Sequence, residues 1–352
     1  MKCTSEEKIM SARSPNQIFT MNLSTLESEK DEYLEYFKPK AYSTIKNFLV
    51  AQKITMLYNE ALNQLSGDQG IETSDMYLKL IDSKGNEYEF NCTYISDIKI
   101  GNMYVTEENI IFVVESKYSR YYSNYISKLD SVGYMKNSVW EKMKYMIPNV
   151  SNHFQTDDGK FAIIVDKPTQ IYPLREILNY FGGKLNPEYV ASILTRLYYF
   201  ACCLDVLGLN HNGLTVDNLF FAPGRTVEEG QSFSVDDIRI VGVYGGWFYT
   251  TKSENEKIKG IPKEVFEILP EESRKYGYSS YKVDLLSIKA IARELLGGTE
   301  DDVFDNILKP LKDWINNPEC KSNSYEEYVA WEKVIISSFG KHRFVEMDIS
   351  IN

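Results

Sequence analysis

Apolar positions along this chain repeat first with the spacing of a helix face, then with the alternation of a strand, then with helical spacing again. From about Thr25 to Leu65 the helical spacing holds over two runs, Leu26 to Phe37 and Tyr42 to Leu65. Lys38-Pro39-Lys40 separates them, because proline removes a helix donor, and Ser66-Gly67-Asp68 ends the second. Alternation begins at Tyr77. Tyr77-Leu78-Lys79-Leu80-Ile81, Glu87-Tyr88-Glu89-Phe90, Asn102-Met103-Tyr104-Val105 and Ile110-Ile111-Phe112-Val113-Val114 read as short strands, joined by turns such as Ser83-Lys84-Gly85-Asn86. A helical stretch over about Tyr121 to Met146 follows, then two strands ending in Lys160-Phe161-Ala162-Ile163-Ile164-Val165. Beyond Pro173 the pattern is helical, with a strongly apolar run from Pro187 to Leu207. Sheet first and helices afterwards predicts an α+β chain. Three parts are expected: a helical domain over 1–74, a small antiparallel lobe over 75–168 and a larger helical lobe over 169–352.

Composition narrows the function. With 43% hydrophobic and 25% charged residues, the chain reads as a globular protein, and its 352 residues suffice for two lobes with ample core. No apolar run reads as a membrane span and Met1 to Ser14 has no signal-peptide core, so the expected location is the cytoplasm with no membrane partner. Five scattered cysteines and three histidines lack metal-ligand spacing, which argues against structural zinc and a disulfide framework. A net charge of −11 argues against a nucleic-acid partner, since neutralising phosphates needs a basic face. The 26 tyrosines suit a partner-binding surface, although the codon bias of an AT-rich genome accounts for them more simply.

The candidate chemistry centres on His211-Asn212-Gly213-Leu214-Thr215-Val216-Asp217-Asn218. In the protein-kinase pattern H-R-D-L-x-x-x-N the Asp accepts the substrate hydroxyl proton and the Asn holds magnesium. Here the first, fourth and eighth positions match, while the third is Gly213, which has no side chain to accept a proton. From Tyr77 onward the order of elements around this loop resembles the two-lobed protein-kinase fold. The run from Tyr281 to Gly298, with Asp284 near its start, looks like the kinase helix that opens on D-x-W-S and ends in E-L-x-x-G. The resemblance implies that Asp284 caps this helix and ties it to the backbone of the catalytic loop. Pro262-Lys263-Glu264 lies where the family has A-P-E, which implies a pair between Glu264 and Arg343; the alternative is two unrelated surface charges.

The positions that would handle nucleotide are altered together. Val243-Tyr244-Gly245 stands at the D-F-G position, and valine cannot ligate a hard cation that needs oxygen donors. The lysine position of the V-A-I-K strand reads as Glu115; Lys117, two residues on, is either a substitute or a solvated charge at a strand end. Glu141 is the corresponding helix candidate, or a surface residue. Ser96-Asp97-Ile98-Lys99-Ile100-Gly101 has one glycine where the phosphate loop G-x-G-x-x-G needs three. His211 and Asn218 survive and also have structural uses, while Asp217 is the acid that an altered enzyme would recruit. Helices flanking Lys38-Pro39-Lys40 and closing in Gln52 to Ser66 resemble a degenerate J domain, whose H-P-D motif is reduced to its proline; an unrelated helical hairpin fits as well.

The resemblance implies a pseudokinase that binds another protein, with no catalytic residue, no metal and no ATP–magnesium cofactor expected. An atypical phosphotransferase or nucleotidyl-transferase built on Asp217 and Asn218 is the first alternative. A structural or assembly component, viral by its composition, is the second. A cleft filled by Tyr244, Trp247 and Phe248 would decide against nucleotide.

Overall fold

The computed structural model describes residues 77–133, 146–168, 171–185, 187–222, 240–252, 256–258, 261–269, 271–297 and 309–339. All of them fall in one compact unit, Met76–Asp348. The expected helical domain over 1–74 and its J-domain likeness lie outside the described residues, as do Glu141, Arg343 and the side chain of Glu264.

Within that unit the α+β order holds: a small antiparallel lobe, then a larger helical one. A hairpin of β1 (Tyr77–Ile81) and β2 (Glu87–Asn91) precedes β3 (Tyr94–Ile98), β4 (Gly101–Val105) and β5 (Asn109–Val114). Helix α1 (Ser119–Gly133) is inserted before β6 (Asn149–Gln155) and β7 (Phe161–Asp166). Strands β3 to β7 form one antiparallel sheet in the order β3-β4-β5-β7-β6. Strand β3 is an addition to the expected strands; its last three residues, Ser96 to Ile98, open the segment compared with a phosphate loop.

Strands β5 and β7 are continuous apolar runs rather than alternating ones because the sheet is covered on both faces. On the outer face Ile111, Val113, Ala162 and Ile164 pack under Leu78, Leu80 and Cys92 of the hairpin. On the inner face Phe112 meets Tyr125 of α1 and Phe248, with ring centroids 5.6 and 5.4 Å away. Its cross-strand neighbour is Ile163. Each large apolar side chain so buried contributes roughly 1.5–3 kcal/mol.

Helix α1 buries Tyr125, Leu129 and Val132, a stripe at helical spacing. The rest of the expected helical stretch toward Met146 lies outside the described residues.

The helical lobe opens with β8 (Tyr172–Pro173) and α2 (Leu174–Tyr180), followed by α3 (Pro187–Val206). The window Tyr189–Val206 is long and apolar enough by composition to cross a membrane, contrary to the expectation from hydropathy. Here it is the central core helix, packed against α6 (Tyr281–Leu295) and α8 (Ser324–Phe339), with Val190, Leu194, Leu197 and Ala201 buried. Strands β9 (Leu219–Ala222) and β10 (Ile240–Val243) join β8 in a second antiparallel sheet. Short helices α4 (Lys263–Ile268), α5 (Glu271–Tyr276) and α7 (Lys309–Asn316) complete the lobe.

Lys289, on the buried face of α6, is 2% exposed and lies 3.2 Å from the Glu327 carboxylate, which is 1% exposed. It also donates to the carbonyls of Asn317 and Glu319 and sits 4.5 Å above the Trp314 ring. Removing one partner of such a pair strands a buried charge, at about 3–5 kcal/mol, whereas removing both together is far milder. Urea denaturation is therefore expected to show Lys289→Met strongly destabilised and Lys289→Met combined with Glu327→Leu largely restored. Equal stability of Lys289→Met and the parent would contradict this role.

Candidate functional site

The loop between α3 and β9 is held from below by one carboxylate. Asp284, in the first turn of α6, accepts hydrogen bonds from the backbone N–H groups of His211 at 2.7 Å and Asn212 at 2.8 Å. It is 3% exposed. Asn212 is the one non-glycine described residue with positive φ, at 59°, a conformation asparagine tolerates better than most side chains. Its amide donates to the carbonyls of Asn210 and Tyr249, both at 3.0 Å, and its Oδ1 accepts from Ser279. Asn210 and Thr251 exchange backbone hydrogen bonds. The loop is thus stitched to the segment after β10.

That stitching brings Gly213 against Gly246. A Cβ on Gly213 would stand 2.7 Å from the Gly246 carbonyl oxygen and 2.8 Å from its Cα. Gly246 itself has φ of 79°, and a Cβ there would meet the Gly213 oxygen at 2.5 Å. The position that the motif gives to a catalytic base is filled by main chain. Its glycine is required by space.

His211 and Asn218 are both turned to structure. The His211 ring is fully buried, edge-on to Trp247 and Phe200 at centroid distances of 5.2 and 5.8 Å. Its Nδ1 accepts from the Gly213 N–H at 3.3 Å. Burial pushes its pKa down to about 3, and a weak backbone contact with Gly245 does not offset this. Asn218 donates from its amide to the Gly213 carbonyl and accepts from the Gly245 N–H. Its Oδ1 lies where a Cβ on Gly245 would fall, so Gly245 is also fixed by space.

The D-F-G position is interior. Val243 is 0% exposed, its N–H bonded to the Met146 carbonyl and its own carbonyl accepting from the Trp247 indole. Tyr244, Trp247, Phe248 and Tyr249 are all buried. Tyr125 of α1 donates its hydroxyl to the Tyr244 carbonyl at 2.8 Å, and Asn124 donates to the carbonyls of Phe248 and Thr250, both at 2.9 Å. These residues pack beneath the sheet, Phe248 against Phe112 and Tyr125.

The lysine frame requires correction. Glu115 and Lys117 lie beyond the end of β5, and Lys117 is exposed in a short 3₁₀ turn with its ammonium 5.0 Å from the Tyr118 ring. Glu115 ion-pairs with Lys160 at 3.8 Å. The strand face directed at α1 carries Phe112, whose parity places Ile110 and Val114 beside it. All three are apolar. Where a phosphate loop would lie, Lys99 and Ile100 form a two-residue turn, Ile98 pairing with Gly101. The Ile100 carbonyl accepts from the Glu115 N–H, and Lys99 donates across to the Ile261 carbonyl at 3.4 Å.

Asp217 is already engaged by a residue the motifs did not signal. Arg175 of α2 grips it with two hydrogen bonds of 2.6 and 3.1 Å and also reaches Glu294 of α6 at 2.6 Å. The Asp217 carboxylate raises the Arg175 pKa above its already high value. Asp205, the other acid near the loop, accepts from the Ser324 N–H at the start of α8. Arg175 could not have been found by local pattern, since its partners lie 42 residues away and farther along the chain.

Two outcomes are expected. Gly213→Ala should lower stability in chemical denaturation by about 1–3 kcal/mol, the usual scale of overpacking, and Gly213→Asp by more; an unperturbed Gly213→Ala would mean the two backbones can part. The second concerns pH. His211 stays neutral when folded, so its contribution is present above its ordinary 6.5 and is lost as pH falls toward 3. Burial pushes Asp284 up to about 7 from 3.8 despite its two N–H donors, so folding takes up a proton and this contribution is lost as pH rises through 7. Between these limits the two slopes oppose each other. Relative to the parent, Asp284→Asn should lose stability more steeply toward acid between about pH 4 and 6.5, by up to about 1.4 kcal/mol per pH unit.

No protein-family profile and no curated protein matches the sequence. Among solved structures the chain is similar to the BubR1 kinase domain, at 10% identity over 70% of this chain and 80% of that one, with a TM-score of 0.48. It is also similar to the Mycobacterium tuberculosis PknI kinase domain, at 12% identity over 70% of this chain and 96% of that one, with a TM-score of 0.45.

Proposed function

We propose that this chain is a pseudokinase, a kinase-like scaffold that performs no phosphoryl transfer and acts by binding another protein. The observation that carries the reading is the contact between Gly213 and Gly246, which leaves no room for a base where the reaction needs one. Phosphoryl transfer depends on positioning and charge stabilisation by a base, metal ligands and phosphate-binding groups. In this chain the base position is main chain, the metal-ligand position is buried Val243, and the phosphate-loop position is a tight turn tied to the Glu115 N–H.

The phosphotransferase alternative would route the proton through Asp217. That carboxylate is already held bidentately by Arg175, and serving a substrate would require it to leave that pair. Asn218 would have to abandon Gly213 to serve a metal.

Thermal melting of the full chain with ATP and magnesium is expected to give no shift, since only a ligand that binds the folded state raises apparent stability. Purified protein is expected to release no labelled γ-phosphate to itself or to a general protein substrate. A magnesium-dependent shift, or transfer that disappears in Asp217→Asn, would overturn the reading in favour of the enzyme.

A further inference from the structure

A cavity of about 580 Å³ opens in the helical lobe between α4, α5, α6 and the stretch from Asn316 to Cys320, away from the loop at His211. Four basic side chains line it: Arg274, Lys282, Lys289 and Arg293. Lys289 is committed to Glu327 and two carbonyls. The other three are not. Arg293 donates to the Ile315 carbonyl at 3.1 Å and meets no carboxylate among the described residues, and burial pushes its pKa down. Arg274 and Lys282 are exposed and form no ion pair among the described residues.

The remaining lining limits what could bind. Of the acidic residues there, Glu267 is paired with Lys263 at 3.6 Å, while Glu271 and Glu319 stand on the wall. A dense anion such as phosphate would meet those two carboxylates and leave Ile268, Leu269 and Leu286 uncovered. A peptide with separated carboxylates and apolar side chains between them fits both features. Large aromatic residues lie exposed on the same two short helices: Phe266 on α4 at 41% and Tyr276 on α5 at 53%. Aromatic and arginine side chains are the types enriched where proteins bind proteins. On a chain of net charge −11, a concavity in which four basic side chains outnumber three acidic ones is a place where an acidic segment finds cations.

We propose that this cavity is a docking site for an acidic peptide segment of a partner protein, held by Arg274, Lys282 and Arg293 over an apolar floor. The site goes beyond the reading of the loop and does not depend on it. A protein that transferred phosphate could carry the same cavity.

The test uses the full chain and a capped, dye-labelled peptide of alternating glutamate and leucine, followed by fluorescence anisotropy. A peptide with lysine in place of glutamate is the control. Binding of the glutamate peptide, weakened by salt and absent for the lysine peptide, is the expected result. Arg274→Glu with Lys282→Glu should weaken it by about tenfold or more with the melting temperature unchanged, because both residues are exposed. Arg293→Gln should act in the same direction. No binding, equal binding of the lysine peptide, or indifference to the double variant would overturn the proposal. Displacement by inorganic phosphate at concentrations equal to the peptide's would also overturn it, in favour of a general anion site. Self-association abolished by the double variant would reassign the cavity to a second copy of the chain.

Discussion

A buried carboxylate at the start of α6 governs the centre of this protein, because Asp284 must find donors inside the fold and the donors available are the backbone N–H groups of His211 and Asn212. A buried acid left without partners is costly, so the loop is drawn onto the helix and held there. The positive φ of Asn212 then places its amide among the carbonyls of Asn210 and Tyr249, and the segment after β10 is gathered into the same network. Gly213 and Gly246 meet as a consequence. Neither could carry a side chain without separating strands of main chain that Asp284 and Asn212 hold together.

The positions at Gly213, Val243 and Asn218 share a physical logic. Each is a packing or hydrogen-bonding element of the interior. Val243 joins the core, Tyr244 is bonded through its carbonyl to Tyr125, and Phe248 packs against both Phe112 and Tyr125. Asn124 and Tyr125 hold α1 to this segment at three carbonyls, so the helix and the loop region form one packed body. The segment from Val243 to Tyr249 is thereby part of the buried core rather than of the surface.

Much of this was legible along the chain. Alternation located β1, β2 and β4, and a continuous apolar run marked β5, though not the reason for it. The run reflects cover on both faces of the sheet, one by the β1–β2 hairpin and one by Tyr125 and Phe248. The helix beginning at Tyr281 could be identified with its acid in the first turn, and the structure sets that acid against the loop. By contrast β3 was not among the expected strands, and Glu115 was assigned a strand position that lies past the strand's end. Arg175 with Asp217, and Lys289 with Glu327, gave no local signal. A lysine on an apolar helix face is visible in sequence, but its partner on α8 is not.

The sequence by itself determined what the loop positions can offer: Gly213 carries no proton acceptor and Val243 no oxygen donor, whatever the fold around them. It also determined the order of sheet and helices, because hydrophobic period is a local property of the backbone geometry each segment can bury. Only the tertiary structure decided what stands beside those positions. Whether a missing side chain leaves a vacancy or a contact depends on what a distant segment brings to the same place, and here Gly246 brings its backbone to Gly213.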